Sequence, residues 1–185
     1  RRVGRLAVLI SGRGSNLQAL IDAIADGRLD AEIATVISDR PGALGLDRAR
    51  QAGIPTQVLP WLGEKRRVEY FQNMQRVLQE ADVELVVLAG FLRILPMELV
   101  RAFPQRIINI HPSLLPAFPG LNAQRQALEY GVRITGCTVH FVDEGLDSGP
   151  IIIQKPVPVY DYDTEASLAE RILAKEHEAL PQAVA

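Results

Sequence analysis

Three groups of residues in this chain have types and spacings that suit chemistry. The first is Asn109-Ile110-His111, which closes an apolar run from Arg106 to Ile110 and stands directly before Pro112. Alternate residues of a strand share a face, so the Asn109 amide and the His111 imidazole are expected to point the same way. Such a pair suits acyl transfer. The amide can hydrogen-bond a developing oxyanion, and the imidazole can move a proton near neutral pH. Taken alone, Asn-x-His reads more readily as a polar strand end with ordinary partners. Asp147 lies in the acid- and glycine-rich stretch Asp143-Glu144-Gly145-Leu146-Asp147-Ser148-Gly149. A carboxylate that reaches an imidazole favours its protonated form, but spacing alone makes Asp147 a turn residue.

The second group is Ser11-Gly12-Arg13-Gly14-Ser15-Asn16, between an apolar run and an amphipathic pattern. Glycines there allow a sharp turn, and the start of a helix offers free N–H groups to an anion. The loop lacks the Lys-Ser/Thr of a Walker A sequence. It is also short of a full dinucleotide fingerprint, because Leu17 stands where the third glycine belongs. Asp39 does occupy the place of a ribose-binding acid, so a nicotinamide-dependent oxidoreductase is the rival reading. A phosphate monoester suits the loop better than a dinucleotide, and a plain tight turn with Ser15 or Asn16 as N-cap is the alternative.

The third is Glu176, four residues after Ile172 and four before Leu180, on the apolar stripe of Leu168, Ala169, Ile172 and Leu173. A carboxylate there is costly unless paired or facing a ligand; otherwise it marks an edge position near a fraying helix end. His177 beside it reads as a surface or partly packed residue. Cys137 and His140 resemble a nucleophile–base pair, but residues three apart on a strand point to opposite faces. One cysteine and the scattered His111, His140 and His177 give no zinc spacing. In Lys65-Arg66-Arg67, cations at a helix start oppose the helix dipole, which hints at an anionic ligand nearby.

These groups need elements to hold them. Leu6–Ile10, Ile33–Ile37, Thr56–Leu59, Leu85–Leu88 and Arg106–Ile110 are short, nearly continuous apolar runs, as expected of parallel strands covered on both faces. Leu17, Leu20, Ile21 and Ile24 have helical spacing, with Gly27 as a C-cap. Ala43–Ala52 and Lys65–Ala81 read as further helices. The alternation predicts an α/β fold with a doubly wound, Rossmann-like, mostly parallel sheet. After Gly131 the rhythm changes. Ile134–Val142 and Pro150–Pro158 are strand-like, with no room for a helix between them, so an antiparallel C-terminal pair is expected. A last helix covers Thr164–Ala179.

Composition bounds the partners. The 185 residues suit one domain, and 48% hydrophobic with 23% charged residues suits a globular core. A net charge of −2 gives no global attraction to nucleic acid or an anionic membrane. The longest apolar stretch, Leu85–Leu92, is far below the ~18 residues of a membrane span. Arg1-Arg2-Val3-Gly4-Arg5 before Leu6–Ile10 imitates a signal peptide, but the apolar part is short and enters a glycine turn; it reads as a buried first strand. The lone Cys137 excludes an intrachain disulfide and fits a reducing compartment, so the cytoplasm is expected.

Five segments in order together resemble the glycinamide ribonucleotide formyltransferase family: Ile10–Leu17, Val87–Leu95, Asn109–Pro116, Gly136–Val142 and Asp147–Ile151. The Asn-x-His-Pro-Ser-Leu-Leu-Pro segment and the later Asp-x-Gly are shared with other formyltetrahydrofolate enzymes, including hydrolases. The Gly-Ser-Asn loop and Glu176-His177 resemble the ribonucleotide branch. The resemblance implies a single formyltransferase-fold domain over 1–185. Residues 1–105 would form the ribonucleotide phosphate half and 106–185 the catalytic and folate half, and a C-terminal tail found in family members would be missing. It implies 10-formyltetrahydrofolate as co-substrate, no metal, no nucleic acid, no membrane, and a monomer or homodimer. Asn109, His111 and Asp147 would be catalytic. Gly14, Ser15 and Asn16 would hold the phosphate, with Leu173, Ala174, Lys175 and Glu176 on the rest of the ribonucleotide. Arg67, Leu92, Arg93, Ile94 and Leu95, with Asn109 and the segment Asp143, Glu144, Gly145, Leu146 and Asp147, would take the folate. Leu92 stands where methionine is common.

Overall fold

The computed structural model describes residues 4–185; Arg1, Arg2 and Val3, which opened the signal-like segment, lie outside the described residues. Seven strands form one sheet in the order β3-β2-β1-β4-β5-β6-β7. In chain order they are β1 (Gly4–Ile10), β2 (Ala31–Ser38), β3 (Thr56–Val58), β4 (Leu85–Leu88), β5 (Ile107–His111), β6 (Ile134–Phe141) and β7 (Ile151–Pro158). The first five pair in parallel, while β6 runs antiparallel to both β5 and β7. The expected antiparallel pair is therefore present and is joined by a second antiparallel ladder, between β5 and β6.

The continuous apolar runs follow from burial on both faces. Leu6, Val8 and Ile10 of β1 enter one core with helices α1 (Ser15–Ala25), α2 (Leu44–Gln51) and α6 (Glu165–Val184). Ala7 and Leu9 enter the other, with α3 (Arg67–Glu80) and α4 (Met97–Ala102). On β5, Ile108 and Ile110 join the first core and Ile107 the second. Alternation then places Asn109 and His111 on the α3–α4 side of the sheet. On β6, Cys137 and Val139 belong to the first core, which leaves Thr138 and His140 on the same side as Asn109 and His111.

The strand order reverses direction between β1 and β4. In open α/β sheets the crevice beyond the carboxyl ends of the strands at that point is where ligands bind. The Ser11–Gly14 loop and the Ala89–Leu95 loop flank it, and the Leu92 N–H donates to Ser11 Oγ at 3.0 Å.

Three helical features depart from the sequence reading. Helix α4 and helix α5 (Ala123–Tyr130) were not foreseen; at six and eight residues they are too short to show a periodic pattern. Helix α6 continues past Ala179 to Val184 with Pro181 inside it. Proline removes one helical hydrogen bond, but Leu180 and Pro181 are buried and Ala183 and Val184 pack on the first core. At the other end, Thr164 and Ser167 form a capping box, and Arg171 bonds both carboxylate oxygens of Asp163 at 2.8 Å. Gly27 (φ 76°) lies one residue beyond the C-cap Asp26 of α1, where a left-handed residue closes the helix.

Candidate active site

Gly14 itself is the N-cap of α1, with φ 72°, and no side chain caps the helix. This corrects the alternative in which Ser15 or Asn16 took that place, and it leaves the first-turn N–H groups of α1 without a side-chain partner. A Cβ on Gly14 would lie 2.6 Å from Gly45 Cα, so the loop rests directly on the α2 backbone.

Asn16 turns inward instead and is buried. Its Nδ2 donates to Glu176 Oε1 at 3.2 Å, so residues 160 apart in the chain meet. Glu176 is 7% exposed, between the fully buried Ile172 and Leu180. Burial pushes its carboxyl above the ordinary glutamate range, and the Asn16 hydrogen bond opposes that only in part. The fraying-edge reading of Glu176 is thus overturned, because α6 runs two turns further. Asn16 Oδ1 is buried with no partner. In the turn before Glu176, Ala174 is exposed, Leu173 is half-buried and Lys175 pairs with Glu178 at 3.3 Å. His177 is partly packed, and burial and then Arg48 hold its imidazole below the usual range.

On the other side of the sheet the second group assembles. His111 is 5% exposed. Its Nε2 lies 2.9 Å from the Phe118 carbonyl, which can only accept, so Nε2 carries the hydrogen. Its Nδ1 faces Asp147 Oδ2 at 3.6 Å. Asp147 (φ 47°) also accepts from the Gly120 N–H at 2.6 Å, which pins the β6–β7 loop to the loop after β5. Asn109 Nδ2 lies 3.4 Å from His140 Nε2. His140 Nδ1 meets the Phe141 and Ser148 carbonyls at 2.9 and 3.1 Å, so it carries the hydrogen and Nε2 accepts from Asn109. His140 therefore orients the Asn109 amide. Sequence reasoning weighed His140 as a partner of Cys137 and as a metal ligand and missed this; the antiparallel register that sets Asn109 opposite His140 is not visible in spacing. Cys137 points into the core, where burial pushes its thiol up to about 12.

The loop after β5 is held from behind. Thr138 Oγ1 donates to the Ser113 carbonyl at 2.7 Å and accepts from the Leu115 N–H at 3.0 Å, while Gln154 Nε2 reaches the Leu115 carbonyl at 2.9 Å. These supporting residues carry no sequence signal of their own.

The remaining candidates line the α3–α4 side. Arg67 donates to the Ile94 carbonyl at 2.6 Å and lies over the Phe71 ring. Arg93 is clamped between Asp39, at 2.9 Å, and the Trp61 ring, 4.6 Å to the centroid. The Asp39 side chain is fully buried by this pair, which removes it as a ribose-binding acid and with it the basis of the oxidoreductase reading. Leu95 packs on the second core. Leu92, Ile94 and Leu146 stay 55%, 65% and 59% exposed. Leu92 and Ile94, two residues apart on one loop, are exposed apolar side chains of the kind that form binding surfaces. In the acid loop, Asp143 accepts from Ser148 Oγ at 2.6 Å and from the Gly145 N–H at 2.8 Å, which hold its carboxyl low. Glu144 bonds Arg101 of α4 at 2.8 Å, tying the loop across to that helix. Among the described residues no cluster of three or more His, Cys, Asp or Glu could hold a metal, and no helix is long and apolar enough to cross a membrane.

An α1 start with no side-chain cap and a β5 end carrying the Asn109 amide and a His111 imidazole that faces the Asp147 carboxylate both lie at the carboxyl ends of the strands. The formyl transferase family profile matches residues 4–184, and the chain belongs to that family. It is 52% identical to the trifunctional purine biosynthetic protein adenosine-3 of Drosophila melanogaster over 187 residues, which is 100% of this chain but 14% of that protein. It is 44% identical to the phosphoribosylglycinamide formyltransferase of Escherichia coli over 176 residues, covering 95% of this chain and 83% of that one. Among solved structures it is similar to glycinamide ribonucleotide transformylase 1 from Symbiobacterium toebii, with 51% identity, a TM-score of 0.95, and coverage of 98% and 86% of the two chains. The chain therefore spans a small part of the trifunctional relatives and most of the monofunctional ones.

Proposed function

We propose that this chain transfers the formyl group of 10-formyltetrahydrofolate to the amine of glycinamide ribonucleotide. The observation that supports this is the approach of His111 Nδ1 to Asp147, at 3.6 Å, on the strand face that also carries Asn109, together with a helix start tied to a buried glutamate. The names of the relatives at high coverage support the ribonucleotide as acceptor.

In this reading the N–H groups of Gly14, Ser15 and Asn16 take the phosphate, and Glu176 with Leu173, Ala174 and Lys175 takes the glycinamide ribose portion. The folate lies along Leu92, Arg93, Ile94 and Leu95, its pterin against the Asp143–Asp147 backbone and its acidic tail toward Arg67. The amine nitrogen attacks the formyl carbon, and a tetrahedral oxyanion forms. Asn109, whose amide His140 holds in place, donates a hydrogen bond to that oxygen. His111, anchored by its Nε2–H on the Phe118 carbonyl and by Asp147 at Nδ1, lies beside Asn109 on the same strand face. The amine proton passes through water near Asp147 to the folate N10 as the N10–formyl bond breaks. No metal and no covalent enzyme intermediate enter. The reaction suits the cytoplasm and needs one copy of the chain, alone or as a homodimer.

The test mixes the protein with 10-formyltetrahydrofolate, with and without glycinamide ribonucleotide, and follows formyl loss. Loss that depends on the ribonucleotide is expected; equal loss without it makes the chain a hydrolase. Asn109→Ala removes an oxyanion donor and should cost ~3–4 kcal/mol in transition-state stabilisation. His111→Ala should lower turnover on the order of 10²–10⁴-fold. Near-normal turnover in both variants sinks the catalytic assignment.

A further inference from the structure

The phosphate loop does not hold itself. Gly12 and Arg13 are exposed, and their carbonyls are both taken by α2 rather than by the loop or by α1. The Gly45 N–H donates to the Gly12 carbonyl at 3.0 Å. Arg48 Nε donates to the Arg13 carbonyl at 2.8 Å, and Arg48 Nη1 lies 3.5 Å from Gln18 Oε1 on the first turns of α1. Arg48 thus bridges the residue before Gly14 and the helix after it. Gly45 has no side chain for a reason visible in the packing: a Cβ there would run into Ile10 and would sit 3.1 Å from Gly14 Cα. The two glycines let the loop and α2 approach closely, and Arg48 then fixes the peptide plane between Arg13 and Gly14.

That plane decides where the loop N–H groups aim. A carbonyl pinned from one side forces the N–H of the following residue to the other, because the peptide unit is planar. With Arg13 O drawn toward Arg48, the Gly14 N–H is turned away from α2. Arg48 also lines a cleft of about 370 Å³ with Ser15, Gln18 and His177.

We propose that Arg48 is a positioning and specificity residue for the ribonucleotide phosphate, acting by holding the Arg13 carbonyl so that the Gly14–Asn16 N–H groups converge on the anion. This rests on the reading of that loop as the phosphate site. Arg48 is well separated in role from Asn109, His111 and Asp147, so its loss should appear in ribonucleotide binding and not in the chemical step. A guanidinium that donates from Nε to one carbonyl while Nη1 reaches Gln18 cannot be replaced by the point charge of lysine.

The experiment compares wild type, Arg48→Ala and Arg48→Lys in formyl transfer to glycinamide ribonucleotide and to the same glycinamide riboside lacking the phosphate. For Arg48→Ala the ribonucleotide KM should rise about tenfold or more, with kcat and the folate KM within about twofold of wild type. Arg48→Lys should recover less than half of that loss on a logarithmic scale. With the dephosphorylated acceptor, wild type and Arg48→Ala should be alike in kcat/KM. An unchanged ribonucleotide KM in Arg48→Ala, or an equal loss on both acceptors, overturns the proposal. Full rescue by lysine also overturns it, because charge alone would then suffice. If wild type shows no preference for the phosphorylated acceptor, the phosphate reading of the loop has failed rather than the role of Arg48. Arg48 is on the surface of α2, and circular dichroism on each variant confirms that a KM change is measured on folded protein.

Discussion

The two ends of the crevice are built on opposite plans. On the α1–α2–α6 side the surface is backbone and one buried acid. Gly14 and Gly45 touch, and Asn16 and Glu176 are inside the protein, between Leu17, Ile172 and Leu180 that are fully buried. On the α3–α4 side it is exposed apolar side chains and loops, held by ion pairs at the surface and by a few hydrogen bonds from β6 and β7. A phosphate and a short glycinamide present one fixed shape and charge, which suits preorganised N–H groups with no freedom to lose. A folate presents a flat ring and a flexible tail, which suits adaptable apolar contact. The difference predicts that substitutions on the first side act steeply and through a single ligand, while those on the second act in small steps.

The steepest case is Gly14→Val. A β-branched residue at φ 72° is strained by roughly 1–2 kcal/mol, and its Cβ would also push the loop off Gly45. Together these should raise the ribonucleotide KM about 100-fold or more while the folate KM stays within twofold. Steady-state kinetics with each substrate varied in turn checks this, and equal changes in both KM values would erase the contrast between the two ends.

The next effects are about tenfold. His140→Ala frees the Asn109 amide without removing it, losing a hydrogen bond worth about 1 kcal/mol. It should lower kcat five- to tenfold and leave both KM values near wild type. Glu176→Gln should raise the ribonucleotide KM about tenfold, because a neutral amide replaces a carboxylate that the bound substrate can ionise. The same variant tests the electrostatics by stability. Burial raises the Glu176 pKa in the folded state, so folding favours its protonated form. That contribution is complete below the ordinary glutamate pKa and is lost as pH rises through the higher folded value. Wild type should lose stability over that window relative to Glu176→Gln; parallel melting curves from pH 4 to pH 8 would show that the carboxyl is not held protonated by burial.

How much of this could be read from the chain alone follows the same division. The first side was legible, because its signals are local. Glycines in a strand–helix turn and a glutamate on an apolar stripe are each visible within about ten residues, whereas the Asn16 partner of Glu176, the Gly14 cap and the Gly45 and Arg48 contacts behind the loop needed the fold. The parallel strands and the antiparallel end were legible for a similar reason, since apolar continuity reports burial on both faces. The group around His111 was half legible. Asn109 and His111 share a strand, but Asp147 joins them through a loop that doubles back, and His140 through an antiparallel register. The rival role for Asp39 could not be dismissed on position alone, because a strand end says nothing about Arg93, fifty-four residues on, which pairs with it. Helices α4 and α5 and the last turns of α6 were not legible: short length hid the first two, and the last turns of α6 hold a proline and are completed by packing on the first core.

The smallest expected effect is at the tie between α4 and the acid loop. Arg101 and Glu144 are 66% and 49% exposed in their side chains, so their 2.8 Å contact is screened by solvent and salt. Such a pair contributes at most about 1 kcal/mol, and it orders a loop rather than touching a reacting atom. Arg101→Ala should therefore raise the folate KM two- to threefold at low salt and by less at 0.5 M salt, because ionic strength already weakens the wild-type pair. Turnover and the ribonucleotide KM should not move. A larger change, or one that survives high salt, would mean that the folate end is preorganised as rigidly as the phosphate end, and the two plans would collapse into one.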